Sequence, residues 1–508
     1  MPIASLRDFV NNRKELELMG PLQGRSGHEE HFTMTYSLNL TPIIDVPNGE
    51  PVVPIHAVRP DDWAILSEDL PSAQVGFAKA NRFAGETGQT VNLPAEDGQI
   101  AAVLLGCGEI ESDMDAEMRA GQLATALPAG FYRLASLPED WSERLATIGW
   151  GIGGYRFSRY LKDTPDPAML VLGENVDAAS IMDSVRATAL GRDLINTPAG
   201  DMGPVALQQA AEDLAHAYDA DVSVVVGDDL LEQNYPMIHA VGRAAHEAPR
   251  LVEIEWGDPD HPRLAVIGKG ITFDTGGVNM KSASGARLMK KDMGGAAHAL
   301  ALSSMIMAAK LPVRLHCLLA IAENAVSANA YRPGDVLTSR AGLTVEIDNT
   351  DAEGRLVLGD ALTKASEDDP VLMIDFATLT GAARVALGPQ LPPFFTNRPH
   401  LHDAVARHAM AELDPVWPMP LWQPYNAMLR SPIADMKNAG GSFAGSVTAG
   451  LFLERFVADM PWMHFDVYGW NPASRPGHPK GADVYAVRAL FSWLASGGLN
   501  TPMGGADA

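Results

Sequence analysis

The sequence predicts an α/β fold: a C-terminal catalytic domain with a mostly parallel central sheet flanked by helices, plus a smaller α/β N-terminal domain. Three observations predict it. A chain of 508 residues exceeds what one hydrophobic core usually serves, so two domains are the default. In the second half, short apolar runs alternate with helical stretches, the pattern of strand–helix–strand units. Those runs are continuously apolar rather than alternating, as expected of parallel strands covered on both faces.

Residues 1–50 are polar, rich in turn residues and weakly periodic, and read as a weakly structured leader in which Met34 is a candidate start. Residues 51–176 form the expected N-terminal domain, with strands at Pro51–Val58, Gln99–Leu105 and Ala168–Leu172. Residues 177–198 are a linker helix, amphipathic over Asp177–Asn196 and stopped by Thr197-Pro198. Residues 199–508 are the expected catalytic domain. Its strands are placed at Leu264–Gly268, Val313–Ala320, Leu343–Asp348, Val371–Phe376 and His464–Tyr468. Its helices are placed at Gly294–Leu311, Arg355–Glu367, Thr380–Leu387 and Ser446–Ala458.

Composition narrows the function. Hydrophobic residues make up 46% of the chain, ordinary for a globular protein. A net charge of −25 argues against a nucleic-acid partner, which wants basic surface. No run approaches the roughly 18 apolar residues of a membrane helix, and the N-terminus has no apolar signal core, so a cytoplasmic protein is expected. Cys107 and Cys317 lie in apolar runs and read as buried free thiols.

Two segments carry the chemistry: GKGITFDTGGVNMKSASGARLMKKDMGGAA (Gly268–Ala297) and DNTDAEGRLVLGDAL (Asp348–Leu362). Each begins where an apolar strand ends, where open α/β sheets bind ligands. Their charged residues are Lys269, Asp274, Lys281, Asp292, Asp351, Glu353 and Arg355. Carboxylates converging beside buried strands repel one another unless something positive offsets them. Two divalent cations about 3.5–4 Å apart would do so. The plain alternative, a set of solvated loop charges or a single ion-pair network, fits each residue alone better than the whole set within its glycine framework.

These residues resemble a known family. NTDAEGRL (Asn349–Leu356) is identical to the signature octapeptide of the leucyl aminopeptidase family of metallopeptidases. NTPAGDMGP (Asn196–Pro204), DFATLTGAA (Asp375–Ala383) and ADMKNAGGSFAGSVTAGLFLERF (Ala434–Phe456) are similar to that family as well. The resemblance implies a two-metal aminopeptidase acting on peptides with a free N-terminus. Lys269, Asp274, Asp292 and Glu353 would ligate one metal, and Asp274, Asp351 and Glu353 the other. Lys281 would polarise the scissile carbonyl, and Arg355 would hold a bicarbonate ion acting as base toward a metal-bridged water. Thr378, Leu379 and Gly381 would hold the substrate backbone, and Met289 would line the first side-chain pocket. The implied cofactors are two divalent ions per subunit, Mn or Zn with Mg also compatible, and bicarbonate. The implied assembly is a homohexamer.

One departure from the family pattern raises a further expectation. Where the family reads something like PKGATGFGVR, this chain has PKGADVYAVR (Pro479–Arg488). Asp483, Val484 and Tyr485 are bulkier or more charged, so side-chain selectivity is expected to depart from leucine through this segment. Two lookalikes fail on context. Gly149, Gly151 and Gly154 spell a dinucleotide-loop pattern but follow a helical stretch, and His28-Glu29-Glu30-His31 lacks the spacing of a zinc helix. Lys290 and Lys291 read as local charge balance around Asp292, and His298 as a packing residue. Two other functions were weighed: a two-metal phosphoesterase, which has no obvious use for a lysine ligand, and a DNA-binding architectural protein, which the acidic balance opposes.

Overall fold

The computed structural model describes residues 42–44, 49–109, 116–174 and 176–500. Most of the expected leader, with Met34 and the His28–His31 stretch, lies outside the described residues. Its described end is not structureless, because Ile43–Ile44 forms a strand. The chain divides into two compact units. One runs to Ala189 and takes in Ser474–Pro479; the other comprises Leu190–Ala473 and the chain from Lys480 onward.

Among the described residues, the first unit holds six strands: β1 (Ile43–Ile44), β2 (Val52–Val58), β3 (Thr90–Pro94), β4 (Ile100–Gly106), β5 (Gly130–Ser136) and β6 (Ala168–Val171). They are ordered β1-β6-β5-β2-β4-β3, and only the β3–β4 pairing is antiparallel. Gly149 and Gly151 lie inside a buried helix, Glu143–Gly153. A Cβ on Gly151 would come within 2.5 Å of Val185, and one on Gly149 within 2.9 Å of the Met118 backbone. These glycines therefore serve close packing, and no phosphate loop exists here.

The second unit supplies β7 (Asp221–Val226), β8 (Arg250–Trp256), β9 (Arg263–Asp274), β10 (Arg314–Asn324), β11 (Val336–Thr338), β12 (Thr344–Glu346), β13 (Leu372–Ala377), β14 (Pro393–Thr396), β15 (Trp417–Pro418), β16 (Met436–Lys437) and β17 (Trp462–Asp466). Eight of them form the large sheet, ordered β15-β14-β17-β13-β9-β10-β8-β7. Its centre, β17-β13-β9-β10, is parallel as expected. Both flanks bring in antiparallel pairs, β14 on β17 and β10–β8–β7. The sequence reading had no strand at β7, β8 or β14. At β7 the reason is visible: the strand is a half-exposed edge, without the continuous apolar run used as the signal. β17 also starts and ends two residues earlier than expected, which leaves Val467 and Tyr468 in the following loop.

Helices Gly294–Ala308 and Gly354–Ser366 are buried almost throughout and pack against the parallel centre. Close approach is enforced at Gly295, where a Cβ would lie 2.2 Å from the Phe376 carbonyl oxygen on β13. The amphipathic stretch Asp177–Asn196 is helical over Ala178–Asn196; Asp177 caps it by accepting from the Ala179 and Ser180 amides.

Candidate active site

The candidate residues converge from four places at the carboxyl ends of the parallel strands. β9 carries Lys269 along its length and ends on Asp274. The turn after it bears Lys281, and a 3-10 turn, Met289–Met293, bears Met289 and Asp292. Asp351 and Glu353 lead into helix Gly354–Ser366, and Thr378, Leu379 and Gly381 follow β13. The tight turn after Asp274 needs glycine at 276, where φ is +89° and a Cβ would lie 2.5 Å from the Asn279 carbonyl oxygen.

The lysines and carboxylates interlock. Buried Lys269 places Nζ 2.7 Å from Asp292 Oδ2 and 2.9 Å from Glu353 Oε1, and donates to the Thr378 carbonyl at 3.0 Å. Lys281 Nζ lies 2.8 Å from Asp274 Oδ2 and pairs with Asp351. Asp274, Asp351 and Glu353 bring oxygens within 4.8 Å of one another. This trio is the set expected for one of the two metals. The Thr378 hydroxyl donates to Asp292 Oδ1 at 2.8 Å, and Asn324 Nδ2 and the Gly276 amide each donate to Asp274 Oδ1 at 2.8 Å.

Electrostatics shows that the lysines do not neutralise the cluster. Burial, reinforced by Asp292, pushes Asp274 up to about 6. Burial, reinforced by Asp274, pushes Glu353 up to about 7. Burial also raises Asp351. Asp292 moves the other way: burial opposes its charge, but Lys269 and Lys291 outweigh that and hold it low. Burial works against the Lys269 ammonium too, yet Asp292, Glu353 and Asp274 keep it above its ordinary value. A site that holds two of its carboxylates this far above their ordinary range is short of positive charge. The all-oxygen-plus-amine donor set therefore fits hard or borderline divalent cations, with Lys269 giving up its proton on ligation.

These groups open into one cavity of about 630 Å³, lined among others by Lys269, Asp274, Lys281, Met289, Asp292, Asp351, Glu353, Thr378, Leu379 and Gly381. Arg355 is not among its lining residues. It is buried, donates to the Asn438 carbonyl at 2.7 Å, and is lowered to about 10 by burial. Among the described residues its Nε has no hydrogen-bond partner. Thr378 and Leu379 are tied in place by hydrogen bonds. The Thr378 hydroxyl and carbonyl are taken by Asp292 and Lys269, and the Leu379 amide donates to Asp466 Oδ1 at 3.0 Å.

The structure corrects the expectation for Pro479–Arg488. Asp483, Val484 and Tyr485 are buried and do not line the cavity. Asp483 Oδ1 pairs with Arg192 Nη2 at 2.7 Å, and both side chains are fully buried. The Tyr485 hydroxyl donates to Asn471, and its amide to His298 Nε2. Removing one partner of such a pair strands a buried charge, so the Asp483 substitution is structural and does not read substrate. His298 packs as expected, with Nδ1 bonded to the Gly294 carbonyl.

Several residues that shape the site escaped the sequence reading. Asn324 could have been found as a polar residue closing the apolar strand LLAIAEN. Tyr331, whose hydroxyl donates to the Thr350 carbonyl at 2.7 Å, had no local signal. Lys290 and Lys291 part ways: Lys290 donates to the Asn196 carbonyl, whereas Lys291 lines the cavity with Arg384 and Tyr468.

Comparison with known proteins shows what the chain is similar to. A family model described as "Cytosol aminopeptidase family, catalytic domain" matches residues 189–491, and one described as "M17 aminopeptidase, N-terminal domain" matches residues 53–173. A probable cytosol aminopeptidase of Roseiflexus castenholzii is 36% identical over 461 residues, 84% of this chain and 94% of that protein. The crystal structure of cytosol aminopeptidase from Coxiella burnetii superposes with a TM-score of 0.84 at 42% identity, covering 90% of this chain and 99% of that one. The bottromycin maturation enzyme BotP in complex with Mn gives a TM-score of 0.79 at 32% identity, covering 88% and 99%.

Proposed function

The chain belongs to the cytosol aminopeptidase family, whose members are metal-dependent exopeptidases, and from that premise we propose that it removes N-terminal residues from peptides at the Lys269–Glu353 cluster. The observation that carries this is the buried Lys269 held between Asp292 and Glu353, with Asp274, Asp351 and Glu353 converging beside it. Lys269, Asp274, Asp292 and Glu353 would hold one cation, and Asp274, Asp351 and Glu353 the other. When bound, such a pair supplies Lewis acidity at a carbonyl and makes water nucleophilic near neutral pH.

The chain's own residues then have distinct tasks. Lys281 would donate to the carbonyl oxygen as negative charge develops there. Thr378 orients Asp292 through its hydroxyl, and Asn324 orients Asp274, so the carboxylates present fixed faces. Arg355 would be the residue to hold a bicarbonate ion, and such an ion would supply a base. Mn or Zn is the preferred metal, with Mg compatible; the Mn in BotP supports the first. A panel of aminoacyl p-nitroanilides assayed with Mn, Zn and Mg in turn, beside p-nitrophenyl phosphate, tests the reading. Anilide hydrolysis that needs added metal is expected. Phosphate ester hydrolysis without anilide hydrolysis would reverse the assignment.

We further propose a cytoplasmic homohexamer. The relatives' name, cytosol aminopeptidase, supports the compartment. Among the described residues, no helix is long and apolar enough to cross a membrane. Trp417 and Trp422, in the run Pro415–Tyr425, stay 53% and 54% exposed, as interface aromatics do before assembly. Light scattering at micromolar concentration is expected to give six chain masses; a single chain mass would refute the assembly.

A further inference from the structure

One part of the cavity wall is cationic without an anion to match. Lys291 is 6% exposed, and its Nζ lies 4.9 Å from the centroid of the Tyr468 ring. The Arg384 guanidinium lies 4.9 Å from the same centroid. Among the described residues, neither side chain forms an ion pair or hydrogen bond. The carboxylates nearby are already engaged: Asp292 by Lys269 and Thr378, and Asp466 by the Leu379 and Thr380 amides and the Thr380 hydroxyl. A buried ammonium in direct contact with none of these carboxylates is a costly arrangement, and an arriving anion would relieve it. Both cations and Tyr468 line the same cavity as the carboxylate cluster, and Lys291 adjoins Asp292 in the chain. An anion held there would share the cavity with the carboxylate cluster.

We propose that Lys291 and Arg384, set against Tyr468, recognise a carboxylate on the first side chain of the peptide, so that glutamyl and aspartyl N-termini are favoured over their amide counterparts. This rests on the aminopeptidase reading above. Glutamine matches glutamate in shape and lacks only the charge, so the Glu-to-Gln ratio isolates the effect.

The test compares kcat/KM for glutamyl, glutaminyl and leucyl p-nitroanilides with metal present, in the wild type and in Lys291→Met and Arg384→Gln. The wild type is expected to favour glutamyl over glutaminyl by about tenfold or more, and each variant to bring that ratio toward one. Arg384 is exposed, so Arg384→Gln keeps the test decisive if Lys291→Met does not fold. Leucyl hydrolysis with glutamyl no better than glutaminyl overturns this inference and leaves the aminopeptidase reading standing. No hydrolysis of any anilide overturns both. A ratio unchanged in every folded variant overturns the assignment to these residues. A carboxylate preference seen with alanyl-glutamate amide against alanyl-glutamine amide, but absent from the anilides, would move the recognition to the second residue and overturn it as stated.

Discussion

Asp274→Asn and Glu353→Gln are each expected to abolish turnover and lose bound metal while leaving the protein folded. Both residues contribute to the converging trio, and both would serve two cations. The loss should exceed the roughly 10–100-fold that removal of an outer-shell partner costs. Folding should survive because an asparagine at 274 still accepts from Asn324 and Gly276, which bond Oδ1, and loses only the partly exposed Lys281 pair.

The sign of the pH dependence follows from the raised values. A carboxylate raised on folding stabilises the folded state below its unfolded value, and that contribution is lost as pH rises through the folded value. For Asp274 and Glu353 the loss runs up to about 6 and about 7. Metal-free wild type should therefore lose stability as pH rises through this window, and metal-free Asp274→Asn should be no less stable than wild type at pH 8. The same protons compete with cations, so metal affinity should climb across the window and then level off. Calorimetric metal titrations at pH 6 and pH 8, with turnover at saturating metal, check all of this. Near-normal turnover of either variant at ordinary metal concentration would sink the site assignment.

Lys281→Ala is expected to keep its metal and lose about 10²–10³ in kcat, with KM moving far less. Lys281 lies between Asp274 and Asp351, the position of a counter-charge. Its ammonium is held above its ordinary value by Asp274 and Asp351 against the opposing effect of burial, so a charged donor is available when cations displace it. Because Lys281 competes for those carboxylates, its removal should leave metal binding unchanged or tighter. Metal content and pre-steady-state kinetics on one preparation separate the two roles. If metal falls in parallel with activity, Lys281 is a scaffold for the ligands and the oxyanion role is wrong.

The ligand cluster was legible in the sequence because its signals are local. Strand β9 runs into the Asp274 turn, Asp351 and Glu353 sit two residues apart, and glycine at 276 is demanded by the turn itself. The parallel centre of the sheet was legible for the same reason, since its strands are continuous apolar runs. The edge strand β7 was not, because it is half-exposed and lacks the continuous apolar run that marks the centre.

The wall of the cavity shows the same division. Lys290 and Lys291 are indistinguishable by composition, yet the turn Met289–Met293 sends one to the Asn196 carbonyl and the other to the cavity. Asp483 looked like a pocket residue, but Arg192, 291 positions away, draws it into the core. Chain chemistry by itself determined which groups can bind cations and move protons: their types and spacings lie within single turns. Which side chains meet the substrate was decided only by the tertiary structure. A side chain's facing depends on the partner that satisfies its charge or fills its space, and that partner can come from anywhere along the chain.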